Sequence, residues 1–173
     1  IDVIHYDIRL NIVTISSQQL SGNTELKIVS KINNLDKISL DLLKLTIDSI
    51  FINGVRDTNI SYDDTTIIIS LSDPINLHDT AIVTVFYHGH PVIDPSNWGG
   101  FYFYGSAYAY NIGIGFEDNP HNYGRVWFPC VDDFIDRAPY DCYITVSSAN
   151  KAVCGGTLVS VTDNGNNTST YHW

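Results

Sequence analysis

The sequence predicts an all-β protein, a two-sheet sandwich or a close relative of one, and three observations carry that expectation. Runs of residues alternate between apolar and polar with a period of two, and Gly, Asn and Asp fall between the runs. No stretch of a dozen residues repeats its apolar positions at helical spacing.

The first element is the clearest. Ile4, Tyr6, Ile8, Leu10 and Ile12 alternate with His5, Asp7, Arg9 and Asn11, the pattern of a strand with one wet face. Segments 24–32, 37–42, 45–52, 65–72 and 81–88 follow, rich in β-branched residues and separated by turn chemistry such as Ser21-Gly22-Asn23 and Asn53-Gly54. In the second half, 100–112, 140–147, 157–162 and 168–173 repeat the pattern, with Asp163-Asn164-Gly165 joining the last two. Between them Pro129 lacks an amide hydrogen, so a strand running through 125–128 has to end there and a corner is expected. The chain shows no internal repeat, low-complexity tract or linker, and residues 1–173 read as a single β domain.

The bulk properties narrow the partners. A chain of 173 residues buries roughly 70 % of its unfolded surface on folding and needs neither metal nor disulfide to make a core. A formal net charge of −10 argues against nucleic acid and anionic lipid, which demand a basic surface. No run approaches the ~18 apolar residues of a membrane helix. The chain opens at Ile1 and holds no methionine, which leads us to expect processing, by removal of a secretory signal or by excision from a larger protein. It stops at Trp173 inside a strand-like segment, which favours excision at that end. Three cysteines without a C-x-x-C spacing define neither a closed disulfide set nor a zinc site; a Cys142–Cys154 bridge and three buried thiols are both open readings.

Catalytic motifs are missing. There is no H-E-x-x-H, no G-x-S-x-G elbow and no phosphate-cradling glycine loop. His88 and His90 share a strand face that could hold a metal, though no third ligand is placed, and an accidental pair on a wet face is the simpler reading. The aromatic stretch 97–111 could offer Trp98, Tyr102, Tyr104, Tyr108 and Tyr110 as a stacking platform, or one face of it could be core and the other an amphipathic edge. The densest chemistry lies in 124–146, where Arg125, Cys130, Asp132, Asp133, Asp136 and Arg137 sit among aromatics. Around a proline corner, Asp132 and Asp133 can accept from freed backbone amides while Arg125 and Arg137 donate to carboxylates or carbonyls. The set reads as a brace rather than as a catalytic centre.

Phe128-Pro129-Cys130, with Asp132 and Asp133 behind it and then Arg137-Ala138, resembles the Phe-Pro-Cys-x-Asp-Glu-Pro-x-x-Lys-Ala corner of the N-terminal domain of zinc aminopeptidases of the aminopeptidase N and leukotriene A hydrolase family. Asp133, Phe134 and Arg137 depart from that pattern, and Cys154-Gly155-Gly156 stands where Ser-Asn-Gly is common. Segments 5–12, 20–28, 38–54, 85–91, 143–159 and 171–173 extend the likeness over essentially the whole chain.

The resemblance implies a saddle-like, mostly antiparallel β domain that precedes a thermolysin-like catalytic domain, whose zinc and catalytic glutamate would lie outside this chain. It implies peptide substrates, the downstream catalytic domain as partner, and a secreted or periplasmic location. The isolated segment should be inactive. In the family a Glu or Gln five residues before the corner Arg grips the substrate's α-ammonium; here that position is Pro120 and the nearest acids are Glu117 and Asp118, so that a shifted loop makes Glu117 the candidate for the role, while an insertion or an altered specificity pocket is equally compatible. The competing readings are a β-sandwich module that binds glycans or peptides through 97–111, and a small metal hydrolase built on His88 and His90.

Overall fold

The computed structural model describes residues 1–173. Thirteen strands form: β1 (Asp2–Ile12), β2 (Leu20–Val29), β3 (Leu35–Asp41), β4 (Thr46–Ile52), β5 (Val55–Asp57), β6 (Ile60–Tyr62), β7 (Thr66–Ile75), β8 (Thr80–Gly89), β9 (Gly99–Tyr104), β10 (Tyr108–Gly115), β11 (Tyr140–Ser147), β12 (Ser160–Asp163) and β13 (Thr168–His172). The only helical turns are two three-residue 3-10 turns, Ile15–Ser17 and Gly124–Val126. The all-β expectation therefore holds.

An eight-stranded sheet runs β12-β13-β11-β1-β2-β8-β4-β5, beside a three-stranded sheet β3-β7-β6 and the hairpin β9-β10. Period-two burial explains how the large sheet acquires an inner face. On β2, Thr24, Leu26 and Ile28 are fully enclosed while Glu25 and Lys27 point to solvent; on β8, Ala81, Val83, Val85 and Tyr87 turn inward. Ile38, Leu40, Ile67 and Ile69 from the smaller sheet join them in one core of 24 buried residues. That continuity of apolar surface is what packs two sheets into one body.

Two features depart from the simple alternation. A bulge between Val3 and His5 changes the phase of β1, so Val3 is buried together with Ile8, Leu10 and Ile12, and Ile4 is only half-buried. β1 also pairs in parallel with β11, Tyr6 opposite Tyr140 through Ile12 opposite Val146, the one parallel junction in an otherwise antiparallel sheet. Through this pairing the segment after the corner returns to the start of the chain. The aromatic stretch folds as the β9–β10 hairpin, its turn at Gly105, with Tyr104 stacked on Tyr108 and Tyr102 on Tyr110 at centroid distances of 5.2 and 5.0 Å. Phe101 goes into the core, as alternation predicts, and Tyr104 stays exposed. Of the expected strand 157–162, only residues 160–162 form, within β12.

Candidate functional site

The corner begins where β3 ends. Asp41 and Cys130 exchange both backbone hydrogen bonds at 2.7 and 3.0 Å, and Leu43 N–H donates to the Arg125 carbonyl at 2.7 Å. Pro129 has no donor to offer, so the bracing passes to its neighbours: Val131 N–H donates to the Tyr6 hydroxyl at 3.1 Å and Asp132 N–H to the Asp41 carboxylate at 2.9 Å. The Asp132 carboxylate in turn accepts the Gly124 and Arg125 amides at 3.0 and 3.3 Å and the Arg125 guanidinium at 3.0 Å. Burial pushes the Asp132 carboxyl above its ordinary range, against the pull of those donors. Arg125 spans two carboxylates, its second guanidinium nitrogen lying 2.7 Å from Asp118.

This is the brace that the sequence pattern predicts, with two changes. Asp133 serves only the adjacent loop, accepting from Ile135 N–H at 3.2 Å, and the exposed Arg137 side chain bonds nothing in the chain. Burial first, then the nearby Asp132 and Asp41 carboxylates, push the Cys130 thiol well above its usual range.

The loop 116–123, between β10 and the corner, is tied at two adjacent residues. Glu117 N–H donates to Oδ2 of the fully buried Asp94 at 3.2 Å, while Oδ1 of Asp94 accepts the Ser96 amide at 2.9 Å and the Ser96 hydroxyl. Asp118 is held by Arg125. Gly115 allows this junction, because a Cβ there would stand 2.9 Å from carboxylate oxygens of both Asp94 and Asp118. The consequence for the two neighbouring acids is opposite. Asp118 has its carboxylate engaged by an arginine, and Glu117 is exposed with a carboxylate that no donor in the chain touches.

Elsewhere the two strand-face histidines take separate partners: His88 bonds Asp48 at 2.8 Å, and His90 bonds the Gln18 carbonyl at 2.6 Å. No group of three His, Cys, Asp or Glu side chains is placed to share an ion. Two groups escaped the sequence reading. Asp94 sits in Asp94-Pro95-Ser96-Asn97, a turn signal that could have marked it. Asp141, from β11, bonds His172 of β13 at 2.6 Å and His5 of β1 at 3.0 Å, and no local signal unites residues so far apart in sequence.

The arrangement offers a loop held at Asp94 and Arg125 with one free carboxylate, beside a corner saturated with hydrogen bonds. The model of the peptidase M1 N-terminal domain matches residues 3–173. The chain belongs to this family. The M1 likeness read from the Phe128-Pro129-Cys130 corner is thereby established over nearly the full length. A mutant M1 zinc metallopeptidase from Deinococcus radiodurans, bound to a Tyr-Ser-Ala substrate, superposes with a TM-score of 0.85 at 25% identity, over 99% of this chain and 38% of that one. The M1 zinc metallopeptidase of the same organism gives 0.83 at 24%, again over 99% and 38%. Legionella pneumophila aminopeptidase A, in complex with aspartic acid, gives 0.72 at 15%, over 99% of this chain and 19% of that chain. No curated protein sequence matches the chain. This M1 domain thus spans about two-fifths of the Deinococcus chains it resembles.

Proposed function

We propose that this chain is the N-terminal β domain of a zinc-dependent aminopeptidase that removes N-terminal residues from peptides, forming one wall of the substrate cleft, and that Glu117 grips the substrate's α-ammonium. The zinc would be held by a catalytic domain elsewhere in the same polypeptide, as membership of the M1 family suggests. When bound there, zinc supplies the activation of water for hydrolysis. Family membership over residues 3–173 supports the enzyme class.

The observation that carries the residue assignment is the contrast between two adjacent acids. Asp118 is neutralised by Arg125 at 2.7 Å, whereas the Glu117 carboxylate is free and its backbone is pinned to Asp94. A carboxylate held ready for an incoming cation sets the register of a peptide by its first residue. In the full-length enzyme Glu117→Ala should lower kcat/KM for aminoacyl substrates about 10- to 100-fold, the worth of one charge-assisted hydrogen bond. The urea midpoint of the protein should not move. Unchanged kinetics would remove Glu117 from the role.

A further inference from the structure

The outer face of the eight-stranded sheet carries a hollow of about 450 Å³ that takes no part in the corner or in the loop at Glu117. Two rows of side chains cross its floor. Strand pairing sets Tyr143, Arg9, Asn23 and Phe86 side by side on β11, β1, β2 and β8, and Thr145, Asn11 and Ser21 beside them on the first three of those strands. Their neighbours in sequence, Leu10, Thr24, Val85 and Cys142, are buried on the other side, so both rows face solvent. Gly22 lies between the rows, and a Cβ there would run into the Arg9 carbonyl, a close approach of β1 and β2 that marks a tightly bent strand.

One wall of the hollow is locked in place. The Arg9 guanidinium lies 2.8 and 3.0 Å from the two carboxylate oxygens of Asp7 and 4.2 Å from the centroid of the Tyr143 ring. From the opposite side β13 stacks His172 on the same ring, with centroids 4.1 Å apart and planes 13° from parallel. Asp141 then holds His172 at 2.6 Å and His5 at 3.0 Å. A merely solvated sheet face leaves such long side chains loose, whereas here they are fixed before anything binds. Beside this wall Asn11, Ser21 and Asn23 have side chains that bond nothing in the chain.

We propose that this hollow is a binding site for a neutral oligosaccharide. Charge chooses the class of ligand first. Arg9 and Asp48, the charged side chains of the lining, are engaged by Asp7 and His88, so an ion of either sign would lose its water without finding a free partner. The unspent groups choose next. The Asn11 and Asn23 amides and the Ser21 hydroxyl each offer a donor and an acceptor, which a sugar hydroxyl, itself both, can match. Phe86, exposed at the end of the first row, gives a flat apolar surface for the C–H face of a sugar ring. Tyr143 and Phe86 stand three strand spacings apart, about 14 Å, the reach of a short chain of rings rather than of one. An extended peptide fits less well, because it docks on the free N–H and C=O groups of a sheet edge, and β11, β1, β2 and β8 are each paired on both sides.

The test is saturation-transfer NMR on the full-length protein, with linear tetrasaccharides of α-linked glucose, β-linked glucose, mannose and N-acetylglucosamine as probes. At least one of them should receive saturation, with a dissociation constant of about 0.1–1 mM. Asn23→Ala and Phe86→Ala should each weaken that binding about 10-fold, and Asn11→Ala should act in the same direction, all with Tm in place because the three side chains face solvent. Tyr104→Ala, on the β9–β10 hairpin, should leave the binding unchanged. No saturation of any probe at about 10 mM, binding that Tyr104→Ala removes and the three hollow variants do not, or tighter binding of tetragalacturonate than of every neutral probe would overturn the proposal. None of these readouts depends on peptidase activity.

Discussion

The central sheet and the Gly124–Ala138 corner hold the chain by different means. In β2 and β8 the positions of Leu26, Ile28, Val83 and Val85 are set by enclosure, an attraction that asks for apolar volume and little direction. At the corner the backbone path is set by Asp132, which accepts from two amides and a guanidinium, and by Arg125, which joins Asp132 to Asp118. Those bonds have angles as well as distances, and a missing partner leaves a buried polar group unanswered. A region held by volume should forgive changes of shape, and a region held by direction should not. The corner is also the region that fixes Asp118 and so frees Glu117.

The sharpest way to break this comparison is Asp132→Ala. It strands the Gly124 and Arg125 amides and half of the Arg125 charge, and should cost about 3–5 kcal/mol, read as a fall in the urea midpoint. Leu26→Ala, which opens a cavity in the sheet core, should cost about 2–5 kcal/mol by the same measurement. The conservative exchanges then separate the two regions. Arg125→Lys keeps the charge but cannot reach Asp118 and Asp132 with one planar fork, and should cost about 1–3 kcal/mol; Leu26→Met should stay under about 1.5 kcal/mol. If the two conservative variants were equal, direction would not be what distinguishes the corner.

The same division explains what could be read from sequence. The faces of β2 and β8 were legible because alternation of Leu26 with Glu25 and Lys27, or of Val83 with Thr84, is a local consequence of the pleat. The Phe128-Pro129-Cys130 bend was legible because proline's missing donor is local too. What was hidden is non-local: the bulge after Val3, the parallel pairing of β1 with β11, and the arrival of Asp41 from the end of β3 at the corner and of Asp94 from the turn between β8 and β9 at the loop. Sequence supplied Arg125 and Arg137 as equivalent donors, and only the fold aims the first between two carboxylates. Glu117 is a candidate by position, and the structure adds that its neighbour Asp118 is engaged by Arg125 at 2.7 Å.

Acid stability offers a smaller effect of opposite sign in the two regions. The Asp141 carboxyl is lowered from its ordinary 3.8, chiefly by the hydrogen bond from His172, with His5 adding to it. Its contribution is therefore present above 3.8 and lost as pH falls through the lowered value. Burial raises Asp132, so its contribution is complete below 3.8 and declines as pH rises through the raised value. Urea midpoints measured from about pH 2 to 7 should show the deficit of Asp141→Asn shrinking toward acid and that of Asp132→Ala widening toward about pH 4. Two deficits that move together would mean that the corner carboxylate is not burdened by burial.

The smallest effect tests whether direction matters inside the sheet as well. Thr24 on β2 and Tyr87 on β8 are both fully buried and share a hydrogen bond of 3.2 Å, a polar pair in an apolar layer. Thr24→Val and Tyr87→Phe each leave one hydroxyl without its partner, and each should cost about 1–2 kcal/mol. The double variant replaces both groups by apolar ones of nearly the same shape, so it should cost little more than either alone, a coupling of about 1 kcal/mol in a double-mutant cycle. Additive costs would mean that the two hydroxyls are satisfied separately. Coupled costs would show that the central sheet, too, turns brittle wherever a polar atom is buried, so tolerance follows the chemistry of each contact and not the regularity of the strand that carries it.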